Sequence, residues 1–111
     1  MGTPNFKETP VALPARDHRI SLADAAALTK SHRAAKVSEE KAGAFHKDQV
    51  LKLLGQAGCV GLRIHYGRNA DGSPALVLTG IDAADNDLTG DILERHYPCP
   101  PYCGATNPLN S

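Results

Sequence analysis

Three side chains near the end of the sequence have the types that a metal site needs. His96, Cys99 and Cys103 lie together in the stretch HYPCPPYCG, and Cys59 is the one other cysteine in the chain. Imidazole and thiolate are ligands that zinc prefers. Three residues separate Cys99 from Cys103, whereas the usual zinc-knuckle spacing has two. A zinc site at His96, Cys99 and Cys103 is therefore one prediction.

The same two cysteines, Cys99 and Cys103, can instead form a disulfide. Their Cα atoms must then approach within about 7 Å, whereas a polyproline-like segment would hold them about 12 Å apart. A disulfide therefore requires a turn, which the residues from Pro101 to Gly104 favour. Thiols stay reduced in the cytoplasm and form disulfides outside it. From the sequence, free thiols, a disulfide and zinc all stay open.

A second set of potential ligands lies in the stretch DNDLTGDIL, residues 85–93. Asp85, Asp87 and Thr89 occupy alternate positions and Gly90 follows, as in the first half of a calcium loop. The twelfth position is His96, where a bidentate glutamate is needed. An acidic turn after a strand is the alternative interpretation, because Asp, Asn and Gly are turn formers.

Composition and charge exclude several classes of protein. The 111 residues include 12 basic and 12 acidic side chains, and this balance argues against binding to nucleic acid or to an anionic membrane. No apolar run approaches the roughly 20 residues that span a bilayer, and the N-terminus has no apolar signal segment. As written, the sequence predicts a cytoplasmic protein, with export by another route left open.

Catalytic motifs are missing from the sequence. It has no phosphate-binding glycine loop, no dinucleotide fingerprint, no nucleophile elbow and no H-E-x-x-H pair. We therefore predict that the protein is not an enzyme and carries no cofactor, with zinc as the alternative. A weaker third interpretation is an enzyme whose pocket gathers His32, His65 or the acidic loop.

Two helices are predicted in the first half of the chain. Ser21 is a good N-cap, and helix-forming residues follow from Leu22 to about Arg33. A second apolar stripe of helical period runs from about Lys47 to Gln56. Residues 34–46 between them have no clear pattern.

Two strands follow, joined by a turn. Val60, Leu62, Ile64 and Tyr66 alternate with small or polar residues, which predicts a strand with one buried face. The turn formers of RNADGSP separate it from residues 75–82, which are apolar on both faces. The two strands are expected to form an antiparallel hairpin with the second strand central or covered on both sides. Residues 92–97 are a candidate third strand.

We therefore predict an α+β fold, with two helices packed on a short antiparallel sheet and irregular Pro-rich tails. The predicted organisation is an extended arm over residues 1–19, a domain over residues 20–97 and a tail over residues 98–111. Aromatic residues are only 5% of the chain, so the core is expected to be small and aliphatic.

From about Ile20 onward, the order of features resembles small uncharacterised bacterial proteins. In those, a helical first half leads to a YG…DG…LVL hairpin, an acidic turn and a CPPxC-like tail. The resemblance covers about four-fifths of the chain and implies no activity. It is carried by Tyr66-Gly67, Asp71-Gly72, Leu76-Val77-Leu78, Asn86-Asp87 and Cys99-Pro100-Pro101-Tyr102-Cys103.

These patterns favour a non-catalytic interaction or self-assembly module. An apolar second strand, a thin core and stiff proline-bearing ends suit docking, because prolines lower the entropy lost on binding. The expected partners are copies of the same chain or another protein, with strand addition at a sheet edge as one route. The alternative function is a zinc-binding accessory protein that uses His96, Cys99 and Cys103.

Overall fold

The fold is α+β, as predicted, in a computed structural model that describes residues 13–111. Most of the predicted arm, residues 1–19, therefore lies outside the described residues. The elements are α1 Leu22–Ala35, β1 Ala42–Ala44, α2 Lys47–Leu54, β2 Gly61–Arg68, β3 Pro74–Ile81, β4 Asp87–Leu93 and β5 Tyr97–Cys99. Strands β2, β3 and β4 form one antiparallel sheet in that order, and β1 pairs with β5 in a second, two-stranded sheet.

Both predicted helices form, and they differ in how much they bury. Ser21 caps α1 by accepting the N–H of Asp24 at 3.0 Å, but no residue of this alanine-rich helix is buried. Helix α2 begins after His46, whose Nδ1 accepts the N–H of Asp48 at 3.2 Å. Leu53 anchors α2 with only 1% of its surface exposed. Helix α2 packs on β3 and β4 and is the main helical contact of the sheet.

The predicted hairpin is confirmed, with its second strand in the centre of the sheet. Strand β3 pairs with β2 on one side and with β4 on the other. Its last four residues, 78–81, are all buried, as expected for a strand that is apolar on both faces. In the turn between β2 and β3, Gly72 has a φ of 89°, a conformation that glycine adopts without strain.

The small β1–β5 sheet was not predicted. In it Ala42 is paired with Cys99, and Ala44 with Tyr97. The candidate third strand over residues 92–97 is divided instead between the end of β4 and the start of β5. The predicted boundary between domain and tail, at residues 97 and 98, falls inside β5, so the first residues of the tail belong to a sheet.

Two glycines allow other elements to lie directly on β3. A Cβ at Gly43 of β1 would lie 2.5 Å from Cδ2 of His96 and 2.7 Å from Cδ1 of Leu76. A Cβ at Gly80 would lie 2.9 Å from Sγ of Cys59, just after α2. Strand β1 and the segment after α2 therefore cover the same face of β3, since Leu76 and Gly80 are an even number of residues apart.

The apolar face of β2 is exposed, so the prediction that this face is buried is wrong. The exposed fractions are 41% for Leu62, 48% for Ile64 and 91% for Tyr66. These residues lie opposite Gly80, Leu78 and Leu76 of β3, on the covered face of the sheet. The cover reaches the central strand and leaves the neighbouring edge strand uncovered.

Replacing Gly43 by alanine is expected to destabilise the protein by about 1–3 kcal/mol, the usual cost of overpacking. The added methyl would force His96 and Leu76 apart. Gly90→Ala is the matched control, because its Cβ would meet only Oε1 of Gln56, at 3.5 Å. Urea unfolding of both variants measures the effect, and equal stabilities would contradict the close approach of β1 to β3.

No helix in residues 13–111 combines the length and apolarity that crossing a bilayer requires.

Candidate interaction edge and neighbouring charged clusters

Cys99 and Cys103 are joined by a disulfide, with their Cα atoms 4.7 Å apart. The turn that this bridge requires is present, because the carbonyl of Pro98 accepts the N–H of Tyr102 at 2.9 Å. Cys59 is unbridged and donates its thiol to the carbonyl of Gly61 at 3.2 Å. Of the three alternatives for the two cysteines, the structure has the disulfide.

His96 lies between two carboxylates. Its Nδ1 is 2.7 Å from Oε1 of Glu94, and its Nε2 is 2.9 Å from Oε2 of Glu40. Only 6% of the His96 side chain is exposed. Burial lowers the pKa of His96, but its hydrogen bonds to Glu94 and Glu40 outweigh burial and raise the pKa above its ordinary value. This arrangement favours an imidazolium that donates from both nitrogens.

The zinc site predicted at His96, Cys99 and Cys103 is not assembled in this state. Both nitrogens of His96 contact carboxylates, and the two sulfurs bond to each other. Within residues 13–111, no three His, Cys, Asp or Glu side chains are grouped as metal ligands. Zinc binding stays a prediction, and it would require the reduced thiols.

Reduction of the Cys99–Cys103 bridge is expected to lower the free energy of unfolding by about 2 kcal/mol. The bridge closes a loop of five residues, counted from Cys99 through Cys103. The expected value is the conformational entropy that a bridge over a loop of this length removes from the unfolded chain and that reduction restores. Urea unfolding with and without reductant measures it. The control is Cys59→Ser, which keeps the bridge and should show the same loss on reduction.

Titration of the reduced protein with zinc tests the metal alternative, and no uptake would count against it.

The structure groups Asp85 and Asp87 of the predicted calcium loop around Arg63, an arginine of β2. Asp85 lies in the turn before β4, and Asp87 begins β4. Both carboxylates contact the guanidinium of Arg63, with Nη1 of Arg63 2.8 Å from Oδ1 of Asp87. Thr89 lies two residues further along β4. Calcium binding stays a prediction, and an ion would have to displace Arg63.

The carboxylate of Asp87 is the centre of a larger charged cluster. Nε2 of His65 lies 3.2 Å from its Oδ2, and the hydroxyl of Thr79 donates to its Oδ1 at 3.2 Å. Burial raises the pKa of Asp87, but its hydrogen bonds to Arg63 and Thr79 outweigh burial. The pKa of Asp87 therefore lies below its ordinary value. The hydrogen bond to Asp87 likewise raises the pKa of Arg63.

This cluster compensates the positive charge of Arg63 with two carboxylates, Asp85 and Asp87. Arg63 and His65 are opposite Thr79 and Val77 of β3, on the face away from the exposed apolar side chains. No local pattern predicts this ion pair, because Arg63 and Asp87 are 24 positions apart. The alternation of β2 did predict that Arg63 and His65 share a face.

The outer edge of β2 presents free backbone groups. Among residues 13–111, β3 is the only strand that pairs with β2. Across the turn, the N–H of Asn69 is donated to the carbonyl of Ser73. Hydrogen-bonded and non-hydrogen-bonded pairs alternate along an antiparallel ladder, so Tyr66 and Leu76 form a non-hydrogen-bonded pair. In agreement, the N–H of Leu76 is donated to Glu94.

By the same alternation, Leu62, Ile64 and Tyr66 direct their N–H and C=O groups away from β3. These three residues also carry the exposed apolar side chains. We call them the β2 edge. Their backbone groups can accept another strand, and their side chains can bury apolar area when it binds.

No family model matches the sequence, and comparison with curated proteins and with solved structures finds no significant match.

Proposed function

We propose that this protein is a non-catalytic interaction module, whose β2 edge pairs with an extended strand of another polypeptide. One observation carries the proposal: outward backbone groups and exposed apolar side chains occur at the same three residues, Leu62, Ile64 and Tyr66. Backbone hydrogen bonds would supply affinity, and the side chains would supply specificity.

The charges around β2 support this function. Natural sheet edges commonly carry charged residues that block pairing. On β2, Arg63 bonds to Asp85 and Asp87, and His65 bonds to Asp87. These side chains therefore present little uncompensated charge to an incoming strand. Arg68 remains as the one charge at the end of the strand.

Tyr66 is the largest exposed side chain of the β2 edge. An aromatic side chain of this size buries roughly 150–250 Å² and contributes strongly to interfaces. Because 91% of its surface is exposed, the side chain of Tyr66 buries little area within its own fold and contributes little to its stability. Pairing at the β2 edge would bury part of this surface between two strands.

The test is a charge placed on the β2 edge. Ile64→Lys should block pairing without disturbing the core, because Ile64 is half exposed. Leu28→Lys on α1 is the control, since it also places a lysine at an exposed aliphatic side chain, away from the β2 edge. Native mass spectrometry and sedimentation of the full chain, purified from its own cells, should show association in the wild type and in Leu28→Lys.

Association should be lost in Ile64→Lys. The proposal is overturned if the wild type is monomeric and partner-free at its highest soluble concentration, or if both variants associate equally.

A further inference from the structure

Strand β2 is complementary to itself when a second, antiparallel copy is aligned on Ile64. Ile64 then lies opposite Ile64 of the second copy, and Leu62 lies opposite Tyr66 of the second copy. Because all three residues direct their backbone groups outward, each of these pairs can exchange two hydrogen bonds, about six in total. Apolar side chains then meet only apolar side chains on this face. An aromatic side chain opposite an aliphatic one is a favourable cross-strand pair.

We propose that the strand added to the β2 edge is β2 of a second copy, antiparallel and centred on Ile64. This rests on the proposed function and names the partner. The two three-stranded sheets would become one six-stranded sheet, in the order β4-β3-β2-β2-β3-β4. The contact is isologous and uses the same edge of both copies, so it closes as a dimer.

Backbone hydrogen bonding favours this register over its neighbour. A shift that centres the pair on Arg63 would place Tyr66 opposite Val60 of the second copy. The N–H of Val60 is already donated to the carbonyl of Ile81 at 2.8 Å, so that pair could not exchange two hydrogen bonds.

Centring on His65 is also less favourable. That register would place Leu62 opposite Arg68 of the second copy and so remove one of the apolar pairs. The register on Ile64 pairs every residue from Gly61 to Gly67. It therefore uses nearly the whole of β2, which ends at Arg68.

Cysteine cross-linking tests the register directly. In a Cys59→Ser background, Ile64→Cys should form a covalent dimer, because hydrogen-bonded pairs place Cα atoms about 5.5 Å apart, which suits a disulfide. Leu62→Cys and Tyr66→Cys should cross-link to each other when mixed, and each alone much less. Leu28→Cys on α1 is the control, and we expect Ile64→Cys to dimerise at least ~10-fold faster, as for a site held opposite its copy.

Hydrogen exchange gives a second readout that needs no cysteine. In the dilute monomer the amides of Leu62, Ile64 and Tyr66 should exchange fast, since they point to the open edge. Those of Arg63 and His65 bond to β3 and should be protected. In concentrated protein the first three amides should become protected as well.

The outcomes separate this inference from the proposed function. If Ile64→Lys abolishes association but neither the Ile64→Cys dimer nor the mixed dimer forms, the register or the partner is wrong and the interaction function stands. If the protein stays monomeric while the edge amides are already protected, its own chain covers the edge, and both proposals are overturned.

Discussion

Replacing His96 by glutamine is expected to lower the free energy of unfolding by about 2–4 kcal/mol. The imidazole ring of His96 lies between the carboxylates of Glu40 and Glu94, whose side chains are only 16% and 25% exposed. Without the imidazolium, two partly buried carboxylates face a neutral amide. Removing one partner of a buried ion pair costs about 3–5 kcal/mol, and the partial exposure of the carboxylates reduces this value.

The position of His96 explains why the effect should be global. Glu40 lies just before β1, and Glu94 follows β4 while accepting the N–H of Leu76 from β3. His96 therefore connects the β1–β5 sheet to the three-stranded sheet. His32→Gln on the exposed face of α1 is the matched control. In the double variant Glu40→Gln/His96→Gln, part of the lost stability should return, since one unpaired charge is removed. A loss no larger than that of His32→Gln would refute this role.

The pH dependence distinguishes the charge of His96 from its shape. The pKa of His96 is raised in the folded protein, so its contribution is complete below 6.5 and is lost as the pH rises through the folded pKa. Burial raises the pKa of Glu94, but its bonds to His96 and Leu76 outweigh burial and lower it. Its contribution is therefore complete above 4.5 and is lost at more acidic pH. The wild type should be most stable between these values, and His96→Gln should lack the decline on the alkaline side.

The parts of the fold that were predictable are those that have a local signal. Ser21 before a run of helix formers locates α1, and the period-two pattern after Cys59 locates the hairpin. Strand β1 has the sequence AGA, which has no periodicity. It becomes a strand only because it pairs with β5, which lies far away in the sequence. Its assignment depended on contacts that a local pattern does not contain.

The candidate site divides in the same way. The alternation of Leu62, Ile64 and Tyr66 predicts that they share a face, but whether that face is covered depends on how far β1 and α2 extend over the sheet. One of the two partners of His96 could not be predicted either. Glu40 is 56 positions away, and it lies in the stretch 34–46 that had no clear pattern. The spacing of His96, Cys99 and Cys103 suggested that all three bind one metal ion. In the fold, the histidine contacts carboxylates and the two cysteines bond to each other.

Replacing Arg63 by methionine is expected to lower the free energy of unfolding by about 2 kcal/mol. Methionine retains an apolar stem but removes the guanidinium that holds Asp85 and Asp87 together. Asp87 keeps His65 and Thr79 as partners, so the loss should fall below that for a fully buried ion pair. Asp85 loses its side-chain partner in the cluster, and its φ of 69° is a conformation that few residues adopt readily.

A double-mutant cycle isolates the charge interaction. Asp85→Asn is the suitable neutral change, because asparagine tolerates this backbone conformation. The combined variant Arg63→Met/Asp85→Asn should lose less stability than the two single losses together, by about 1 kcal/mol. Urea unfolding measures the four proteins, and purely additive losses would contradict the ion pair.

The effect of Arg63→Met should also shrink as the pH falls below 3.8 and through the lowered pKa of Asp87, because a protonated carboxyl no longer needs the cation. If the same variant also weakens self-association, the neutralised cluster, and not the β2 backbone alone, keeps the edge open to a second strand.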